Sequence, residues 1–140
     1  MQLDDRTATL LRAGYNASRR FHWGSAIAVT AITAGCVILV FASGEHGLPM
    51  YMALSFIPMA VFVLYRATKM PGPEVVEAII ATPERVSVIF SVDSGRIKLL
   101  AIKLDDDRRI TVRIKHDSDL ELVRRALAER APEASISPPL

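Results

Sequence analysis

The sequence predicts an α+β membrane protein. It would carry an N-terminal amphipathic helix, a two-helix transmembrane hairpin, and a small antiparallel β-meander of about four strands with a C-terminal amphipathic helix. Three observations lead there. Two runs contain no charged side chain, residues 24–43 and 48–65, and each has about the length of roughly 20 residues that a helix needs to cross a bilayer core. Beyond them, β-branched residues alternate with polar ones at the period of a strand. Near the end, Leu120, Val123, Leu127 and Ala131 recur at the period of a helix. A chain of 140 residues defaults to one soluble domain, but its 51% apolar content is packed into the two uncharged runs.

Residues 1–23 form the first segment. Asp4 and Asp5 suit a helix start, where carboxylates meet the positive end of the helix dipole. Leu3, Leu10 and Phe21 fall on one side with Leu11 beside them, and Arg6, Arg12, Arg19 and Arg20 fall largely outside that stripe. The pattern fits a helix lying on a membrane surface through Leu3, Leu10, Leu11 and Phe21; it equally fits a helix packed on the protein's own cytoplasmic domain.

Residues 24–66 hold the hairpin. The segment linking its spans, EHGLP at 45–49, has no Lys or Arg, whereas Arg6, Arg12, Arg19 and Arg20 precede the first span and Arg66 and Lys69 follow the second. The positive-inside rule therefore predicts an integral membrane protein with both termini cytoplasmic, in the inner membrane if the host is bacterial. A cleaved signal peptide fits poorly, because its apolar run is shorter and a second span follows at once. Small residues at Gly24 and Ala28, then Ala31 and Gly35, have the spacing that lets helices approach closely. Pro58 removes a donor in the second span and predicts a kink. No ionisable group lies inside either span, which argues against a pump or transporter unit. The single cysteine, Cys36, is expected to pack as a small apolar residue.

Residues 70–131 form the cytoplasmic α+β domain. Pro71-Gly72-Pro73 is a stiff break. EVVEAIIAT, residues 74–82, reads as a strand by its β-branched content, although Val75, Val76, Ile79 and Ile80 also share one helical face. Val86, Val88, Phe90 and Val92 alternate with Arg85, Ser87, Ile89 and Ser91, and Gly95 supplies the positive φ of the loop that follows. In RIKLLAIKL, Leu100, Ile102 and Leu104 share a face while Ile97 and Leu99 point the other way; a bulge at Leu99-Leu100 would restore the phase. Otherwise the strand needs a second cover, and Ile97 and Leu99 become an apolar contact surface. RRITVRIK alternates cleanly. Ser118 and Glu121 have capping-box spacing, so Ser118 is the expected N-cap of the last helix. Pro132 ends that helix, and residues 132–140 read as a disordered tail. About 60 residues make a small core, so help from the membrane, the first helix or a second copy is expected.

Asp105-Asp106-Asp107 invites a metal or catalytic reading. Adjacent residues of an extended chain point in opposite directions, so three neighbouring carboxylates do not converge on one ion; a hairpin turn is the expectation. His22, His46 and His116 are too dispersed for a metal site. The sequence has no nucleophile elbow, P-loop or dinucleotide fingerprint. No catalytic residue, cofactor or metal is therefore expected, nor an enzyme. From residue 70 onward, 11 Arg and Lys meet 12 Asp and Glu, which predicts no nucleic-acid partner. The positive charge is local: Arg109, Arg113 and Lys115 share a strand face, with Arg96 and Lys98 on the neighbouring strand, facing lipid or a partner.

Strands followed by a C-terminal amphipathic helix, from about Arg85 to Arg130, resemble the later half of bacterial pleckstrin-homology-like domains, which are often attached to membrane hairpins. Four strands fall short of that family's seven, and the resemblance implies no site residues here. It implies a membrane-surface or anionic-lipid-sensing module. The undersized domain and the two-faced strand favour another expectation: a non-enzymatic accessory or assembly subunit of a membrane complex, presenting a cytoplasmic domain to a protein partner or to a second copy.

Overall fold

The computed structural model describes residues 2–44 and 47–137. Its chain divides into two compact units, one of Met1–Ser18 with Pro71–Leu140 and one of Arg19–Met70. The helices are α1 (Asp5–Ser43), α2 (Leu48–Thr68), α3 (Pro73–Ala81) and α4 (Asp117–Arg130); the strands are β1 (Val86–Asp93), β2 (Lys98–Leu104), β3 (Arg109–Ile114) and β4 (Ser135–Ser137). The first helix does not stop near Trp23: α1 carries the amphipathic segment and the first uncharged run as one helix.

In the first unit the sheet order is β3-β2-β1-β4. β1, β2 and β3 form an antiparallel meander, and β4 pairs parallel to β1 with Ile136 opposite Ile89. The sheet is therefore mixed, where an all-antiparallel meander was expected. The tail is also ordered further than expected, because the open edge of β1 offers it a ladder; residues 138–140 lie outside the described residues.

One face of the sheet buries Ile89, Leu100, Ile102, Leu104, Ile110, Val112 and Ile114 against three helical segments. α3 contributes Val75, Val76, Ile79 and Ile80, and α4 contributes Leu120, Val123 and Leu127. Leu3, just before α1, and Ala8, Leu11 and Tyr15 in its first turns complete the set. Leu3 N–H donates to the carbonyl of Ile80 (3.1 Å), and Arg12 makes a two-pronged pair with Glu77, both contacts at 2.7 Å. The first helix thus enlarges a core that residues 70–131 would build poorly alone.

Several local expectations are corrected. Residues 74–82 are helical over Pro73–Ala81, not a strand: Pro73 starts the helix and its four large β-branched residues share the buried face. Helix-propensity differences of about 0.7 kcal/mol or less per residue yield to that burial. No bulge falls at Leu99-Leu100, since β2 pairs with β3 without a break from Lys98 to Lys103. The irregularity sits in β1, between Val86 and Val88, where the Ser87 hydroxyl faces the carbonyls of Lys103 and Leu104 at 3.2 and 3.1 Å. The N-cap position of α4 is His116, without a side-chain cap bond, and not Ser118, so Glu121 closes no capping box and instead accepts from Arg124 at 2.8 Å.

The second unit holds the two apolar helices. Asp5–Ser43 and Met50–Thr68 are long and apolar enough to cross a membrane, and 17% of the most apolar window of each is buried. α2 runs on through Pro58. Ala53, Ala60 and Ala67, seven residues apart, are buried, as are Ala26, Thr33 and Cys36 of α1. The Thr33 hydroxyl lies 2.8 Å from the Val29 carbonyl and 3.5 Å from that of Phe56. Gly24, Ala28, Ala31 and Gly35 are exposed, so the buried seam follows the alanine heptad instead of their spacing. Glu45 and His46 of the linking segment lie outside the described residues.

Candidate functional site

Strand alternation sends one residue in two to the sheet's other face. The extra residue at Ser87 sets which ones. Val86 and Ile89 turn into the core, and Val88, Phe90 and Val92 turn outward. Register places Val92 beside Leu99 and Leu99 beside Arg113; Phe90 beside Ala101 and Ala101 beside Thr111; Val88 beside Lys103 and Lys103 beside Arg109. The helices of this unit pack on the opposite side, and Phe90 and Val92 stay 45% and 41% exposed. An apolar patch of Val88, Phe90, Val92 and Leu99 therefore lies open, bordered along β2 and β3 by Lys103, Arg109 and Arg113.

A second feature is a cavity of about 480 Å³ within the same unit, between the early part of α1 and one end of the sheet. Its lining includes Leu10, Ala13, Gly14 and Ala17 of α1, Arg96, Ile97 and Lys98 at the start of β2, Arg113 and Ile114 at the end of β3, and Lys115, His116 and Asp119 beyond it. A methyl group on Gly14 would collide with the Val112 side chain and come within 2.7 Å of the Arg113 carbonyl, so this glycine lets α1 close onto β3.

The cations expected on one surface are divided. Lys98 lies on the buried side of β2, its side chain 9% exposed, where its ammonium meets Asp93 Oδ2 at 2.9 Å and also Asp117. Hydrogen bonds to Asp117 and then Asp93 raise its pKa above the usual lysine value. It joins the β1–β2 turn to the first turn of α4 and does not face outward. Arg96 and Lys115 line the cavity with Ile97 and Leu10; Arg109, Arg113 and Leu99 belong to the open sheet face, and Arg113 meets the cavity where its backbone lies against Gly14. Leu3 and Leu11 are in the core, which fits the domain-packing alternative for the first helix; Phe21 belongs to the other unit and is 53% exposed. Gly14 and Ala17 share the apolar side of the first helix in the sequence and His116 reads there as a surface or capping residue, but neither these nor Ala13 carry a cavity expectation. Their one signal is the lack of bulk at 13, 14 and 17, which leaves room beside the sheet end.

The acid cluster is the β2–β3 turn, with Asp107 at φ 65°. Arg85 pairs with Asp105 and Asp106 at 2.8 and 3.0 Å, and Arg108 with Asp106 at 2.7 Å. The hydrogen bond from Arg108 leads in lowering the Asp106 carboxyl to about 2. Each acid thus has a local structural partner: Lys103 reaches Asp107 at 2.6 Å. Among the described residues, no group of three His, Cys, Asp or Glu side chains is placed to hold a metal ion.

Fold and surface together define a small mixed α+β domain, without obvious catalytic or metal-binding features, in a chain with two helices of membrane-crossing length. Comparison with protein-family models, curated proteins and solved structures yields no match for the chain.

Proposed function

We propose that this chain is a non-enzymatic integral membrane protein, spanning the membrane twice with both termini in the cytoplasm, whose α+β domain docks a partner as an accessory subunit of a membrane complex. The observation that carries this reading is the open sheet face. Val88, Phe90, Val92 and Leu99 form a contiguous apolar patch of the kind that marks interaction sites. The patch adjoins Arg109, with Lys103 beside it already engaged by Asp107, so the matching surface is apolar with a carboxylate at the Arg109 edge. A two-fold interface must be self-complementary, and the patch brings no carboxylate of its own to a second copy's cationic edge, so we take the occupant to be a different protein.

A photo-crosslinking side chain placed at Ala101, beside Phe90, tests the reading in native membranes. One discrete heterologous adduct is expected, lost when Phe90→Glu and Val92→Glu are combined. A dimeric adduct would overturn the choice of occupant. A lone monomer, both in the crosslinking lanes and by native mass measurement in mild detergent, would overturn the docking function.

A further inference from the structure

We infer that the cavity beside β2 and β3 binds the phosphate of an anionic phospholipid, with the lipid's first apolar carbons on the cavity floor. The inference shares the membrane placement of the proposed function and is independent of the sheet-face partner. It rests on the two-sided chemistry of the lining. Arg96 and Lys115 supply cations, while Leu10, Ala13 and Ile97 supply apolar surface. Neither Arg96 nor Lys115 forms an ion pair among the described residues, unlike Lys98 in the same wall, which Asp93 and Asp117 engage. The one carboxylate in the lining, Asp119, has Arg6 at 3.9 Å.

A guanidinium presents a planar fork of donors that fits two phosphate oxygens at once, and a lysine ammonium adds a compact charge. About 480 Å³ falls within the usual range for small-molecule sites, roughly 300–1,000 Å³. That volume suits a headgroup and glycerol, leaving the acyl chains outside. A free phosphate would satisfy the cations and leave Leu10 and Ile97 in water. A zwitterionic lipid would cover the floor but bring its own headgroup cation up against Arg96 and Lys115. An anionic phospholipid satisfies both sides. The chain also joins this unit at Ser18–Arg19 and Met70–Pro71 to helices of membrane-crossing length, so lipid is the source of phosphate at hand.

The test uses the full chain in a neutral detergent, with lipid adducts counted by native mass spectrometry during titration with phosphatidylglycerol or phosphatidylcholine. One phosphatidylglycerol per chain is expected to bind preferentially. Arg96→Gln with Lys115→Gln should weaken it about 25-fold, since each cation contributes on the order of 1 kcal/mol near anionic lipid. Ala13→Phe fills the cavity without changing charge and should abolish the adduct; Ala13 is exposed on α1, and circular dichroism verifies folding. Arg125→Gln with Arg130→Gln removes the same charge from α4 outside the cavity lining and should leave binding unchanged. The assignment falls if phosphatidylcholine binds equally, if folded Ala13→Phe keeps the adduct, or if the α4 pair weakens it as much. It also falls if glycerol phosphate displaces the lipid at equal concentration, which would make the ligand soluble. None of these readouts requires the protein partner, so the two proposals fail separately.

Discussion

Gly14 and Asp106 show how single residues set this domain. Gly14 sits in α1, where alanine would ordinarily stabilise a helix by roughly 0.8–1 kcal/mol. Here the added methyl meets Val112, which is fully buried, and the Arg113 backbone carbonyl at 2.7 Å. Neither neighbour yields cheaply, so Gly14→Ala should cost about 1–3 kcal/mol in denaturant unfolding; a gain would mean that the helix does not close on β3. Asp106 acts through pH. Its carboxyl lies at about 2 in the folded chain, down from an ordinary 3.8, with the Arg108 hydrogen bond as the leading cause. The folded state therefore favours the charged form. Its stabilisation is present above pH 3.8 and is lost as pH falls toward about 2. Asp106→Asn should lower the melting temperature at pH 7 and flatten the stability loss across that acid window. The effect should shrink in high salt, because the turn is open to solvent. An unchanged acid limb in melts of the variant would remove Asp106 from the account.

At the scale of elements, the start of α1 is the piece whose placement carries most weight. Leu11 is fully buried among residues of the sheet and of α3 and α4. Leu11→Ala should cost about 2–5 kcal/mol by chemical denaturation, whereas Phe21→Ala, in the other unit, should leave the soluble core's stability nearly unchanged. A surface helix resting on lipid would give the reverse ranking in vesicle binding and little change in stability. The sequence allowed both, because a stripe of Leu3, Leu10 and Leu11 says only that something apolar covers it. The uncharged runs were legible because a bilayer demands a length no soluble helix must match. The β2–β3 hairpin was legible because Ile110, Val112 and Ile114 alternate strictly with polar residues. Residues 74–82 were not, since Val75, Val76, Ile79 and Ile80 satisfy a strand by type and a helix by spacing. β4 has three residues and acquires its meaning only from the edge of β1. The bulge at Ser87 was also hidden: its hydroxyl sits opposite two carbonyls, and nothing in RVSVIFSV distinguishes Ser87 from a regular outward serine. That bulge is why the open apolar patch contains Val88, Phe90 and Val92 beside Leu99, residues that strict alternation from Val86 would keep on the Val86 face.

For the whole molecule, the decisive quantity is which side of a membrane the domain faces. Arg6, Arg12, Arg19 and Arg20 lie before the first uncharged run, Arg66 and Lys69 after the second, and no Lys or Arg lies between residues 44 and 49. Moving those flanking cations outward opposes the bias that orients spans, so under the proposed topology both junctions face the cytoplasm. Cys36 is the chain's only cysteine, and it is buried, so Cys36→Ala gives a background for single-cysteine reporters. In that background, Gly47→Cys should react with a membrane-impermeant maleimide added to intact cells. Ser137→Cys, exposed on β4, should react only after the membrane is breached. Labelling of position 137 from outside would reverse the topology and place the domain away from the cytoplasmic leaflet. Labelling of both positions from outside would mean that the uncharged runs do not span. The expected pattern, 47 outside and 137 inside, puts the basic rows of β2 and β3 and the cationic cavity on the side where anionic lipid and cytoplasmic partners are both available.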